Sequence, residues 1–540
     1  MLLSAAAFSA AYADEISLPA VTTVISGQTL TAGKEAVPDF NNVLPGPETA
    51  AAPIPELPAE KTDVPQPSET AVQKQDAEKD IYAEGLVGGG YPGYFTGNFS
   101  LYRSKGENPF LLKFAHESAS GYAGKAFTDG YFDAQTDVFG KKTLTAGSTV
   151  WNFTGSYNNA ENGFQSVSSA FYDMTKQTLA GGFSADTACT ENFMLYTAVS
   201  GDWYNRYGGK AQDITVPDAQ KNVSMLSFDP SVKGEWTLNS VKIGLEAKYN
   251  LENSTGSNSS ISGYGSDLTD KATHRGLFGL DISWSNDTFT VFEKAGLVAG
   301  TAVGGNSVIL PFSVGASVKC VTPLSPREMS LSAEGGLSSE QRTYKDLERA
   351  FKFTYLSFIP GETTDWYGIF KASVPVADRF TVAENVEYRK TAFDNGVWEP
   401  DYDHIAVSGL YAFVQNDQTI MKTVSSLSAD TGIMTATVDW TSYWIDVPVL
   451  ENKQTVGVSA AVQDKTASKG VEATARFEIG SDADTVPEIG ASCFTRVSKA
   501  VRIAVKADDI VKLLTGDTRT YAGKYVTRSG YAAVLVKFFF

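Results

Sequence analysis

From residue 81 onward, hydrophobic residues recur at every second position. Val241, Ile243, Leu245, Ala247 and Tyr249 alternate with Lys242, Gly244, Glu246 and Lys248. Val471, Ala473, Ala475, Phe477 and Ile479 alternate with Glu472, Thr474, Arg476 and Glu478. Val501, Ile503, Val505 and Ala507 alternate with Arg502, Ala504 and Lys506, and Met434, Ala436, Val438 and Trp440 with Thr435, Thr437 and Asp439. A period of two marks strands whose successive side chains point to opposite faces. Each of these strands has one apolar face and one mostly charged or hydroxylic face. A soluble sandwich would use them as core and water faces. A membrane barrel would turn the apolar face to lipid and the polar face to its lumen.

The turns decide between the two. Some are tight: Leu238-Asn239-Ser240, Ser285-Asn286-Asp287, Val376-Ala377-Asp378-Arg379 and Val497-Ser498-Lys499. Others are long and polar: Tyr207 to Lys221, Glu252 to Lys271, Asp394 to Asp403 and Gly516 to Thr527. Tight turns on one rim and long loops on the other is the arrangement of a transmembrane barrel, and a sandwich has no reason to sort them. The pattern therefore predicts an all-β fold over residues 81–540: a large antiparallel transmembrane β-barrel of about 20–22 strands, with 16 or 18 strands and larger loops as the alternative. Aromatics near strand ends, Tyr94, Phe95, Trp151, Trp203, Trp366, Tyr367, Tyr443 and Trp444, suit interfacial girdles or a packed core.

The chain ends Tyr-Ala-Ala-Val-Leu-Val-Lys-Phe-Phe-Phe. Counting back from Phe540, the alternate positions Phe538, Val536 and Val534 are all apolar, while Lys537 lies on the other face. This ending resembles the closing strand and assembly signal of bacterial outer-membrane barrels, which implies the barrel-assembly machinery as a partner and outer-membrane lipid as solvent. Tyr82 to Arg103 is similar to the first barrel hairpin of TonB-dependent receptors. Arg502 to Val511 with Tyr525 to Phe540 resembles their last hairpin, with Asp508 to Ile510 in place of the usual Asn-Leu loop. Asp378 to Val382 resembles their repeated turn-strand starts. The likeness spans residues 81–540 in layout. No plug domain of the size those receptors carry precedes the first hairpin, so the chain most resembles a plugless barrel of this type. That resemblance implies an outer-membrane location and passage or uptake of a small solute. The alternative is a barrel that does not transport and whose long loops bind a partner, as an adhesin or scaffold.

Residues 1–80 differ in kind. Met1 to Ala13 is apolar and ends Ala11-Tyr12-Ala13 before Asp14-Glu15, which fits a signal-peptide cleavage site. Its basic start is missing, so the precursor could be longer. Residues 14–80 form an acidic leader in which Pro45-Gly46-Pro47, Pro53-Ile54-Pro55 and Pro65-Gln66-Pro67 rule out continuous helix or a central strand. Such a segment buries too little apolar surface to offset its ordering entropy, and it is expected to be a disordered periplasmic leader. Within it, Leu18 to Ser26 (LPAVTTVIS) is β-prone and resembles the energy-coupling box of TonB-dependent transporters; a chance Val/Thr cluster is the alternative.

The whole chain carries a formal net charge of −18 over 540 residues, which argues against nucleic acid and a polybasic membrane-surface role. Cys189, Cys320 and Cys493 form neither a metal spacing nor a disulfide framework. Gly88-Gly89-Gly90-Tyr91-Pro92-Gly93 matches a phosphate-loop pattern, but a strand follows it instead of a helix. Its glycines predict a tight bend or close strand approach. His116, His274 and His404 lie in separate segments, so no nucleophile–base pair or metal triad can be assembled, and no enzyme or cofactor is predicted. The densest ligand-type group is Asp394, Glu399, Asp401, Asp403 and His404, read as a solvated acidic loop or an oxygen-rich Ca²⁺-type cluster. Lys242, Glu246, Lys248, Glu472, Arg476, Glu478, Arg502 and Lys506 are the predicted lumen set. Their mixed charge would give a polar path without clear ion preference.

Overall fold

The computed structural model describes residues 81–540 except 104–107, 123, 211–215, 217–219, 221, 256–271, 302–307, 323–324, 394, 481–483, 523 and 529. The expected signal peptide and leader, with the Leu18–Ser26 segment, lie outside the described residues, as does Asp394 of the acidic loop. The remainder is one closed antiparallel barrel of 22 strands. The two-residue strand Val308–Ile309 is a small extra pairing on its rim. Each strand pairs with its neighbours in sequence, and the barrel closes where the first strand, Tyr82–Tyr91, meets the last, Tyr531–Phe539. Their register runs from Glu84↔Phe539 to Tyr91↔Ala532. Closure pairs every strand on both sides and leaves no open edge in hydrocarbon.

The alternation in sequence becomes the two faces of the wall. Val471, Phe477 and Ile479 stay 60%, 44% and 53% exposed, while Glu472 between them is 3% exposed. Val438, Val458 and Ala475 sit side by side on three neighbouring strands. Across the wall, large apolar side chains stand on the outside with no described residue packed over them, a belt of the kind that lipid or detergent covers. Val458→Arg is therefore expected to cost about 2–4 kcal/mol in guanidinium titrations of protein refolded into liposomes. Ser459→Arg, on the opposite face, is expected to be tolerated. Equal effects at the two positions would mean that the outer face is not in hydrocarbon.

The connections sort by rim. Two-residue turns at 147–148, 191–192, 239–240, 378–379 and 499–500 share one rim with the beginning of the first strand and the end of the last. The opposite rim carries 342–361, 392–418 and 509–530. Pro92-Gly93 is a short connection on that loop rim. The predicted girdle divides. Phe95, Trp203, Trp366 and Trp444 are exposed, whereas Tyr94 and Tyr443 are buried. Tyr94 faces inward and stacks on Tyr531 with ring centroids 4.3 Å apart. Arg528 lies over both rings and reaches Glu117 at 2.9 Å. A strand-end aromatic belongs to a girdle only if its position in the two-residue period points outward.

Candidate functional site: a lumen capped by its own loops

The loop-rim connections fold onto one another. Segment 342–361 begins with the helix α1 (Tyr344–Ala350). Thr343 caps it, its hydroxyl accepting the Asp346 N–H at 3.1 Å. Asp346 in the first turn and Arg349 in the last complement the helix dipole. Tyr344, Leu347 and Phe351 fall at i, i+3 and i+7, which gives the short helix one apolar face. That face packs with Leu356, Ile359, Trp398 and Phe413 against Tyr204, Val223 and Met225 of the barrel wall. A small sheet follows, in which Thr354–Tyr355 runs parallel to Tyr411–Asn416, and Tyr411–Asn416 runs antiparallel to Val397–Ile405.

A second apolar core joins loops from distant parts of the circumference. Phe164, Phe171 and Met174 meet Phe353, Leu410, Tyr411 and Tyr525. Tyr525 stacks on Phe353 at 3.7 Å, and its hydroxyl donates to the Gly409 carbonyl at 2.6 Å. Gln165 donates to the Val526 carbonyl at 2.8 Å, and Tyr411 to that of Ala522 at 2.9 Å. Burial holds the Tyr402 and Tyr525 phenols well above their ordinary range and pushes Tyr411 up to about 12. All three stay neutral hydrogen-bonding groups at any physiological pH. Together these loops make a cap with its own buried core.

An ionic clasp ties the cap to the wall. Glu348 of α1 and Arg206 of the strand Phe193–Lys210 are both fully buried, and Arg206 Nε lies 2.8 Å from Glu348 Oε2. Tyr204 donates to the same oxygen at 2.7 Å, and the Leu356 N–H to Oε1 at 3.0 Å. Lys176 of the wall donates to the carbonyls of Glu348 and Phe351, the latter at 2.9 Å. Nearby, Arg275 grips Glu362 through Nε at 3.0 Å and Nη2 at 2.9 Å. The sequence reading did not include these residues. Asp202, Tyr204 and Arg206 do alternate with Trp203, Asn205 and Tyr207, so their period was visible, but their partners come from a loop more than a hundred residues on.

The eight sequence-chosen lumen residues sit on wall faces opposite exposed apolar neighbours, and most are engaged locally. Lys248 pairs with Glu246 at 2.9 Å, Arg476 with Glu478 at 3.2 Å, and Lys242 with Glu235 at 3.6 Å. Lys506 donates to the Tyr531 hydroxyl at 2.6 Å and lies 3.6 Å from Asp508. Glu472 accepts from Ser492 at 3.4 Å, and Arg502 lies over the Phe494 ring. On the last strand, Val534 and Phe540 are exposed and Lys537 is buried, pairing with Glu84 at 3.0 Å across the seam; Val536 and Phe538 follow the same outward period.

The described members of the acidic loop engage separate partners. Glu399 is buried and accepts from Gln418 at 3.2 Å and from the Val449 N–H at 3.3 Å. Asp401 holds the exposed His404 at 2.9 Å and accepts from the Asp403 N–H. Among the described residues, no three His, Cys, Asp or Glu side chains form a group able to hold a metal ion.

The resemblance to the barrels of TonB-dependent receptors read from the sequence holds for the fold. The ferric enterobactin receptor of Pseudomonas aeruginosa superposes with a TM-score of 0.60 at 11% identity, over 85% of this chain and 80% of that one. The siderophore receptor PirA of Acinetobacter baumannii gives 0.61 at 9%, over 86% and 81%. The copper transporter OprC gives 0.61 at 11%, over 85% and 80%. No protein-family profile and no curated sequence matches the chain.

Proposed function

We propose that this protein is an outer-membrane transporter through which a small solute passes or is taken up. The observation that carries the reading is the width of the barrel. Twenty-two strands enclose more space than wall side chains can fill, and the loops close it at one mouth. Lys242, Glu246, Lys248, Glu472, Arg476, Glu478, Arg502 and Lys506 would line the polar path. The structural neighbours include receptors and transporters for iron, siderophores and copper, which supports uptake as the class of activity. In this reading residues 14–80 follow a cleaved signal peptide into the periplasm, on the side of the tight turns. Leu18–Ser26 would offer a strand to an energy-coupling partner there. Val534, Val536, Phe538 and Phe540 would be read by the barrel-assembly machinery. The cap would face outward.

A second reading has support from the cap itself. Loops with two buried cores also make a firm display surface, as an adhesin or scaffold needs, and the acidic loop with Asp401, Asp403 and His404 would belong to that surface. Planar-bilayer recording separates the two. A transporter is expected to show discrete current steps, at least after the cap is loosened. A barrel that stays silent with its cap disrupted is a scaffold. Deleting residues 14–80 should leave those steps intact while abolishing uptake in cells, and uptake that survives the deletion removes the coupling role.

A further inference from the structure

Directly beneath the cap, the wall carries an acidic layer that the clasp does not use. Asp202, Ser227 and Glu252 are side-by-side partners on three adjacent strands, all facing inward. The Ser227 hydroxyl donates to Asp202 Oδ2 at 2.6 Å. Two residues further toward the turn rim, Asp229 accepts from the Asn250 side-chain amide. Asp346 of α1 is a fourth carboxylate among the charges acting on Glu252 and Asp229. Among the described residues, one ammonium forms an ion pair with these carboxylates. Lys345 of α1 reaches Asp202 Oδ2 at 2.6 Å.

The layer is also incompletely satisfied. Glu252 is 1% exposed, and only its Oε1 is used, accepting the Tyr344 N–H at 2.8 Å. Its Oε2 is buried without a hydrogen-bond partner, as is Asn250 Oδ1 on the same inward face. A polar oxygen buried without a donor is costly, and two such acceptors, two residues apart on one strand face, invite a ligand that brings donors. A metal ion would need a coordination sphere, and the described residues show none. An ammonium needs only acceptors for three N–H groups and a negative field. Lys345 already places one ammonium on this layer.

We infer that Asp202, Asp229, Asn250 and Glu252 form a binding site for the primary ammonium of a small organic cation, and that Lys345 is a tethered competitor for it. The inference rests on the transport reading and names the class of solute. A solute arriving through the lumen would pair with Glu252 and Asn250, compete with Lys345 for Asp202, and so loosen the first turn of α1.

The test is calorimetric titration of the full-length protein in detergent with 1,4-diaminobutane, with Ca²⁺ and glycerol as comparison ligands. Saturable binding of the diamine alone is expected. Glu252→Gln should weaken it on the order of tenfold or more, and Lys345→Ala should tighten it. Lys469→Ala, far away on the turn rim, should change nothing. Each variant is first checked for folding by heat-modifiable gel mobility, and Asp229→Asn substitutes for any that misfolds. No diamine binding in the parent or in Lys345→Ala overturns the inference. So does binding that is indifferent to Glu252→Gln, or Lys345→Ala that fails to tighten it. Binding of Ca²⁺ in preference to the diamine overturns the ligand class. A barrel that conducts without binding diamine refutes this site alone, and one that binds without ever conducting refutes the transport reading alone.

Discussion

Replacing Glu348 by alanine is expected to release the cap while leaving the barrel folded. The carboxylate closes a fully buried group made of Arg206, Tyr204 and the Leu356 N–H. Without it, Arg206 stays in the interior beside Lys176 and has lost the carboxylate that lies 2.8 Å from its Nε. Removing one partner of a buried ion pair costs about 3–5 kcal/mol, because the remaining charge is uncompensated. That shifts docking of α1 by about two to three and a half orders of magnitude. The wall does not depend on this pair, since its strands are held by their own ladders. Hydrogen exchange should therefore rise over 342–361 and 397–416 and stay unchanged in the strands, and bilayer recordings should show more frequent or larger steps than the parent. The double variant Arg206→Met with Glu348→Leu is the complementary measurement. It removes both charges and keeps their volume, and buried pairs replaced in this way are often neutral or better, so the cap should close again. If Glu348→Ala lowers the unfolding temperature of the whole barrel without local exchange, the clasp belongs to the wall and the cap is not a separable unit.

The wall was legible in the sequence because its determinants are local. Val471 and Glu472 reveal their faces by adjacency alone, and Asn239 or Asp378 reveals a turn by residue type. Spacing bounded the strand number at about 20–22, and the long and short connections were told apart by their length and residue types. The cap was not legible, because its determinants are paired at a distance. The period of Tyr344, Leu347 and Phe351 is too short to announce a helix, and nothing near Glu348 in sequence points to Arg206. The segment from Asp394 to Asp403 read as a polar loop. Within it, Val397–Ile405 is instead a strand whose Trp398 and Tyr402 enter the cap's cores. Glu399, read with its neighbours as part of a solvated acidic loop or a cation cluster, is a buried acceptor for Gln418 and the Val449 N–H. Polar letters in a long connection describe composition. Which of them face inward depends on what the connection lands on. The inner acidic layer was hidden for the same reason: Asp202, Asp229 and Glu252 are ordinary inward positions until α1 roofs them.

At the glycines of the first hairpin, the close strand approach expected from the sequence and the backbone geometry point to one substitution. Gly90→Ala is expected to prevent the barrel from closing. A Cβ at Gly90 would lie 2.1 Å from the carbonyl oxygen of Ala532 and 2.7 Å from the Cα of Ala533. Both atoms are backbone of the last strand, so no rotamer change relieves the overlap. The two strands would have to part at the seam, where the pairing from Glu84↔Phe539 to Tyr91↔Ala532 closes the barrel. Each backbone group bared in hydrocarbon costs several kcal/mol, far more than the half to one kcal/mol, roughly, that alanine gains over glycine in a strand interior. The expected result is loss of the compact heat-modifiable band and of outer-membrane material. Gly88→Ala should be milder, because the nearest atom its Cβ meets is Leu535 Cδ2, the end of a flexible side chain. Gly457→Ala, which meets nothing within 4 Å, should fold like the parent. If Gly90→Ala folds as well as Gly457→Ala, the first and last strands do not approach this closely, and the seam must be held by the ion pair of Glu84 with Lys537 and the stacked Tyr94 and Tyr531 instead.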